Sequence, residues 1–199
     1  MSSNIESEIL FIKRVIEESR KSALNNGKYY ILWGVLISIA SLATYLIEKL
    51  DFDFNPNYLW GVCILAGWFF SGYWGYKEGK NPKTTGLASK VIPALWSSLG
   101  ITMMVIVLAG IISGSIKYVS ISPLIAAVIG VGYFTSGTIY SDTMLKVLAF
   151  CWWGASVVMF NLSGIEVLLA NGIFIIVFQV IPGFILLSKW KKDFTVSNA

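Results

Sequence analysis

The sequence predicts an all-α integral membrane protein: a six-transmembrane-helix bundle preceded by an amphipathic N-terminal helix. Three observations carry this. Apolar residues gather in runs near the ~20 residues needed to cross a bilayer core. Only 13% of the residues are charged, about half the quarter usual in soluble domains. The runs are also continuous, as in Met103-Met104-Val105-Ile106-Val107-Leu108, which excludes the alternating pattern of a transmembrane β-barrel.

Residues 1–27 are charged throughout and lack the compact apolar stretch and cleavage site of a signal peptide. They read as a cytoplasmic amphipathic helix. Ser3 with Glu6 forms a capping box, and Asn25-Asn26-Gly27 is a stop signal. Ile5, Ile9, Ile12 and Ile16 recur at helical spacing, widened by Leu10, Phe11 and Val15. Lys13–Glu17, Arg14–Glu18 and Glu17–Lys21 set opposite charges one turn apart. Such a helix can lie on the membrane surface, pack on the ends of its own bundle, or bind a second copy or a cytoplasmic protein through residues 3–25.

The transmembrane domain covers residues 28–192, with a short tail at 193–199. The first span is expected over 28–47, entered at Lys28-Tyr29-Tyr30, and is followed by the acidic loop Glu48 to Asp53. Asn55-Pro56 opens a second span over 57–76, because proline suits a first helical turn. A loop carrying Lys77, Lys80, Lys83 and Lys90 leads to a third span, 88–112, which Pro93 is expected to kink. Ser113-Gly114-Ser115 breaks the chain, and Ser122-Pro123 is read as the cap and first turn of a fourth span, 123–140. Ser141-Asp142-Thr143 caps a fifth, 143–161. Ser163-Gly164 turns into a sixth, 165–188, which Pro182 interrupts, freeing the carbonyl of Phe178.

Charge placement sets the orientation. Thirteen of the fifteen Lys and Arg residues fall on the side that carries the N-terminus, leaving only Lys49 and Lys117 opposite. The positive-inside bias then puts both termini in the cytoplasm, as for a protein of a bacterial plasma membrane. The net charge of +4 is thereby a topology signal, and no nucleic-acid partner is expected. Cys63 and Cys151 sit in different spans at different depths and read as packing residues.

Two patterns stand out within the spans. Gly67, Ser71, Gly75 and Gly79 recur every four residues and predict a small-residue packing seam in the second span, since helices in lipid associate by close approach. The fourth span echoes it: Gly132-Tyr133-Phe134-Thr135-Ser136-Gly137 parallels Gly67-Trp68-Phe69-Phe70-Ser71-Gly72. Gly132 and Ser136 are therefore assigned to the same seam. The pairs Trp33-Gly34, Trp96-Ser97 and Trp153-Gly154 rhyme in the odd spans, which suggests three like-oriented hairpins.

Catalytic chemistry is not in view. The chain has no histidine, so Ser-His dyads and H-E-x-x-H are impossible, and no span carries an ionisable residue near its middle. No metal or cofactor is expected, and the reading is non-enzymatic. What remains is a set of tryptophans at mid-bilayer depth, Trp68, Trp152 and Trp153, with the polar residues Thr102, Asn171 and Gln179. They make a candidate aromatic pocket with polar handles, or else they fill the bundle and bond across helices.

The segment Ile12-Lys13-Arg14-Val15-Ile16-Glu17-Glu18-Ser19-Arg20-Lys21, running into Gly27 and a Trp-Gly span, resembles uncharacterised small bacterial six-span membrane proteins with an N-terminal cytoplasmic amphipathic helix. The resemblance covers about 30 residues. It implies that the cytoplasmic helix is a shared feature, in proteins associated with neighbouring transcription regulators, and it carries no activity or site residues. Two functional expectations follow from the sequence as a whole. One is a regulatory, sensor or partner-binding membrane subunit; the alternative is a small-molecule transporter or ligand-binding bundle.

Overall fold

The computed structural model describes residues 8–10, 27–80 and 87–197. Among them the chain forms helices joined by short turns, without strands. Residues 8–10 are helical; the rest of the expected N-terminal amphipathic helix, and Lys83 in the lysine loop, lie outside the described residues. The elements are α1 (Gly27–Lys49), α2 (Pro56–Lys80), α3 (Leu87–Ser113), α4 (Tyr118–Ile139), α5 (Thr143–Phe160) and α6 (Glu166–Ile175). A π-helical turn (Ile176–Val180) then joins α6 to α7 (Ile181–Ser197).

Among the described residues, five helices are long and apolar enough to cross a membrane: α1, α3, α4, α5 and the continuous rod from Glu166 to Lys189. By length and composition these helices are consistent with an integral membrane protein. The exception is α2, whose 25 residues are diluted by glycine, tryptophan and tyrosine.

Helix α1 is the spine. It packs against α2 on one side and against α6, the π turn and α7 on the other, while α4 and α5 make the most extensive contact among the described helices. Helix α3 rests on α4, so α2 and α3 are both outer helices. Glycine permits the closest approaches. A Cβ on Gly27 would stand 2.8 Å from the Gly183 carbonyl oxygen, and one on Gly137 would stand 2.8 Å from the Lys146 backbone nitrogen. Where hydrocarbon surrounds the helices, such intimate van der Waals contact replaces the hydrophobic drive of a soluble core.

Helix ends follow local chemistry. Asn55 accepts a hydrogen bond from the Asn57 backbone at 3.0 Å, ahead of a helix whose first residue is Pro56. Asp142 caps α5 by accepting from the Leu145 N–H at 3.0 Å. Gly164 turns the chain between α5 and α6 with φ +62°, a conformation that costs glycine little.

One boundary departs from the sequence reading. Helix α4 begins at Tyr118, after a Lys117 N-cap that makes no side-chain bond, so Ser122-Pro123 is not its cap and first turn. Pro123 is buried within the helix, and its carbonyl accepts from Ser156 Oγ at 2.8 Å. Tyr118 to Ser122 add a helical turn ahead of the proline, and the Ser156 bond ties α4 to α5 at the proline itself. Pro182 also falls inside a continuing rod: the π turn directly before it absorbs the missing N–H. Both cysteines are free thiols.

The glycines divide into two kinds, and substitution should separate them. Gly137→Ala forces a Cβ against α5 backbone and is expected to lower stability by about 1–3 kcal/mol. Gly79 has nothing within 4 Å, so Gly79→Ala should be neutral or stabilising by up to ~1 kcal/mol. Thermal unfolding in detergent reads both.

Candidate functional site

Two tryptophans on odd-numbered helices make the same contact with the helix that follows. On α1, the Trp33 ring lies over Gly67 of α2, 2.7 Å from where a Cβ would stand. Its Nε1 donates to Ser71 Oγ at 3.0 Å, and its ring meets Trp68 edge-on at 6.3 Å and 89°. On α3, the Trp96 ring lies over Gly132 of α4, 3.0 Å from the Cβ position. Its Nε1 donates to Ser136 Oγ at 3.2 Å, and its ring meets Tyr133 edge-on at 5.8 Å and 85°. The Gly-aromatic-x-x-Ser echo is thus one clasp made twice: glycine under the indole, an edge-on aromatic next, and a serine one turn on to take the N–H. The third hairpin does not repeat it. Trp153 packs backwards on Gly130 of α4 and donates to the Ala127 carbonyl at 3.1 Å.

The predicted seam divides accordingly. Gly67, Ser71, Gly132 and Ser136 pack as clasps, but Gly75 and Gly79 have nothing within 4 Å. A four-residue interval overshoots the helical turn by about 40°, so the stripe winds off the α1 contact after two members. Helix α2 is pinned to α1 at three heights. Trp60 Nε1 donates to Thr44 Oγ1 at 3.0 Å near one end, and Trp33 grips Ser71 midway. At the other end Lys28 pairs with Glu78, whose second oxygen accepts from Tyr29 at 2.9 Å. Trp74 stands edge-on to Tyr29, with its ring 5.4 Å from the Lys28 ammonium.

The six candidate pocket residues do not converge on one site. Trp68 is 42% exposed on α2, between Trp33 of α1 and Gly100 of α3, with its ring 3.7 Å from where a Cβ on Gly100 would stand. Thr102 is exposed and bonds back to the Ser98 carbonyl of its own helix at 2.9 Å. Asn171 is buried at the α1–α6 contact, donating to Ser41 Oγ at 3.0 Å, which itself donates to the Leu168 carbonyl at 2.9 Å. Gln179, on the π turn, donates to the Tyr30 carbonyl at 3.3 Å. Trp152 is fully buried between Tyr133 and Phe178, while Trp153 sits apart on α4 as described.

Trp152 and Gln179 do border a centre that the sequence reading missed. Tyr30, Trp96, Tyr133 and Trp152 form a contiguous aromatic group among α1, α3, α4 and α5. Tyr30 and Tyr133 have ring centroids 5.1 Å apart, and Tyr30 meets Trp96 at 5.7 Å. Three polar atoms inside it, the hydroxyls of Tyr30 and Tyr133 and the Trp152 Nε1, are buried without a hydrogen-bond partner. The available signal was the pair of echo aromatics; Tyr30, near a span entry, reads from sequence as an interface anchor.

A separate small cavity of about 140 Å³ lies at the opposite end of the bundle, lined by residues that include Glu48, Tyr118, Ser122, Ile165 and Leu168. No family model, curated protein or solved structure matches this chain.

The clasps make a quantitative claim. Trp96→Phe and Ser136→Ala should each cost about 0.5–1.5 kcal/mol. A double-mutant cycle in denaturant should show coupling near ~0.6 kcal/mol, the usual size for such bonds between membrane helices. Trp33 and Ser71 should couple equally, whereas Trp96 and Ser71 should not.

Proposed function

We propose that this protein is a non-enzymatic, six-span membrane subunit, with both termini cytoplasmic, that acts by binding another protein. The six-span arrangement is supported by the register of α2 on α1. The three contacts at Thr44–Trp60, Trp33–Ser71 and Lys28–Glu78 run α2 antiparallel along the whole of a helix apolar enough to span. At 1.5 Å per residue a helix of this length reaches about 37 Å, beyond the ~30 Å hydrocarbon core. Lys28, Lys77 and Lys80 then share one side, in line with the positive-inside bias.

The partner-binding role rests on the outer face of α2. Gly61, Leu65, Trp68, Gly72, Gly75 and Gly79 follow one another at intervals of four and three residues, the spacing of a helix–helix seam. All four of those glycines have nothing within 4 Å, and Leu65 is 71% exposed. Glycine within a helix costs about 1 kcal/mol relative to alanine, and a helix that met only lipid would gain nothing for it. The counterpart helix α4 presents Gly130 and Gly137 to α5, so the same kind of surface is covered by a helix where the chain supplies one.

Cross-linking tests this in native membranes. In a chain with Cys63 and Cys151 replaced, Gly75→Cys carrying a photoreactive maleimide should give a discrete protein adduct. Ile101→Cys, exposed on α3, should give none. Adducts at neither position, or equally at both, would remove the basis for the proposal. The alternative of a ligand-binding bundle has one observation in its favour, the three unpartnered polar groups at Tyr30, Tyr133 and Trp152.

A further inference from the structure

At the end of the bundle away from Lys28 and Glu78, α1, α4 and α6 converge on a cavity of about 140 Å³. Glu48, in the last turn of α1, is the one charged side chain among the described residues that line it. Tyr118 and Ser122 of α4 add hydroxyls, while Val119, Ile165 and Leu168 give an apolar wall. Glu48 makes no ion pair among the described residues. The neighbouring Lys49 turns instead to the Tyr45 hydroxyl, 2.6 Å away, and lies over that ring. Tyr118 is steadied from the far side, reaching the Trp60 indole, which bonds Thr44 at 3.0 Å.

The balance of charge selects the sign of a guest. A helix end carries about half an elementary charge. The negative end of α1 is met by Lys49 in its last turn, and the positive end of α6 by Glu166 in its first. The α4 end has no acidic residue in its first turn, but its half charge is smaller than the full charge of Glu48. Lys117 is exposed and outside the lining. The cavity therefore favours a cation. A divalent metal wants six or more oxygens, and no group of three His, Cys, Asp or Glu residues that could hold one exists among the described residues. The volume is close to that of a cavity that takes benzene, about 150 Å³, so a guest of about six non-hydrogen atoms fits.

We propose that this cavity binds a small primary ammonium ion, its head on Glu48, Tyr118 and Ser122 and its short alkyl chain along Val119, Ile165 and Leu168. Such a head carries three N–H donors, matched by one carboxylate and two hydroxyl oxygens. The bond to the carboxylate is the strong one, because both partners are charged. The alkyl chain leaves water for the apolar wall, which a hydrated metal ion could not use. Glu48 is exposed, so solvent screens its attraction and the affinity is modest. The site is separate from the outer face of α2 and independent of the partner-binding reading.

The test titrates butylammonium chloride or butan-1-ol into the full-length protein in detergent, at constant ionic strength, and reads the melting temperature. Butylammonium should raise it saturably, since a ligand held by the folded state stabilises that state; the alcohol, equally long but uncharged, should not. Glu48→Gln should move the midpoint of the titration up by about tenfold or more. Ile165→Trp, which fills the cavity and keeps Glu48, should do the same. Glu166→Gln removes a carboxylate outside the lining and should leave the midpoint unchanged. No saturable rise, an equal rise with the alcohol, or an unmoved midpoint in Glu48→Gln overturns the proposal. An equal loss in Glu166→Gln means diffuse surface charge and overturns it as well.

Discussion

An indole ring lying on a glycine, with its N–H taken by a serine one turn further on, is the contact from which the outer part of this bundle hangs. Lipid gives helices no hydrophobic reason to associate, so close approach and interhelical hydrogen bonds must supply it. Each clasp provides both at one point. The Trp33 clasp holds α2 to α1, and the Trp96 clasp holds α3 to α4. The inner helices use a different device, backbone on backbone through Gly27, Gly137 and Gly183.

The same clasp has different surroundings in its two copies. Around Trp96 the edge-on aromatic, Tyr133, is enclosed by Tyr30 and Trp152 and becomes part of a buried polar centre. Around Trp33 its counterpart, Trp68, is 42% exposed on the side of the molecule. One copy turns inward and holds unpaired hydrogen-bonding groups. The other turns outward, beside a row of open glycines, and supports the proposed partner interface.

Much of the architecture is legible in the residues, for local reasons. Asn55-Pro56, Asp142 and Gly164 act through their own backbone and the next few residues, so their roles can be read along the chain. The echo of Gly67–Gly72 in Gly132–Gly137 is likewise visible. Which ring covers which glycine is not, because it depends on the register between helices. The four-residue stripe does not stay on the α1 contact, because the helical period carries Gly75 and Gly79 round the helix. Thr102 reads as a polar handle but satisfies itself on its own helix, as threonine often does. Glu78 reads as part of a charged loop, whereas its pairing with Lys28 fixes the end of α2. Tyr30 and Tyr133 acquire significance only from each other.

The central claim is that α2 crosses the membrane alongside α1, and labelling from one side tests it most directly. In intact cells expressing a chain with Cys63 and Cys151 replaced, Asp53→Cys and Gly79→Cys would be exposed to a membrane-impermeant maleimide. The account predicts labelling at position 53 and none at 79 until the membrane is opened. Equal labelling at both positions before opening would place the two ends of α2 on one side and contradict it.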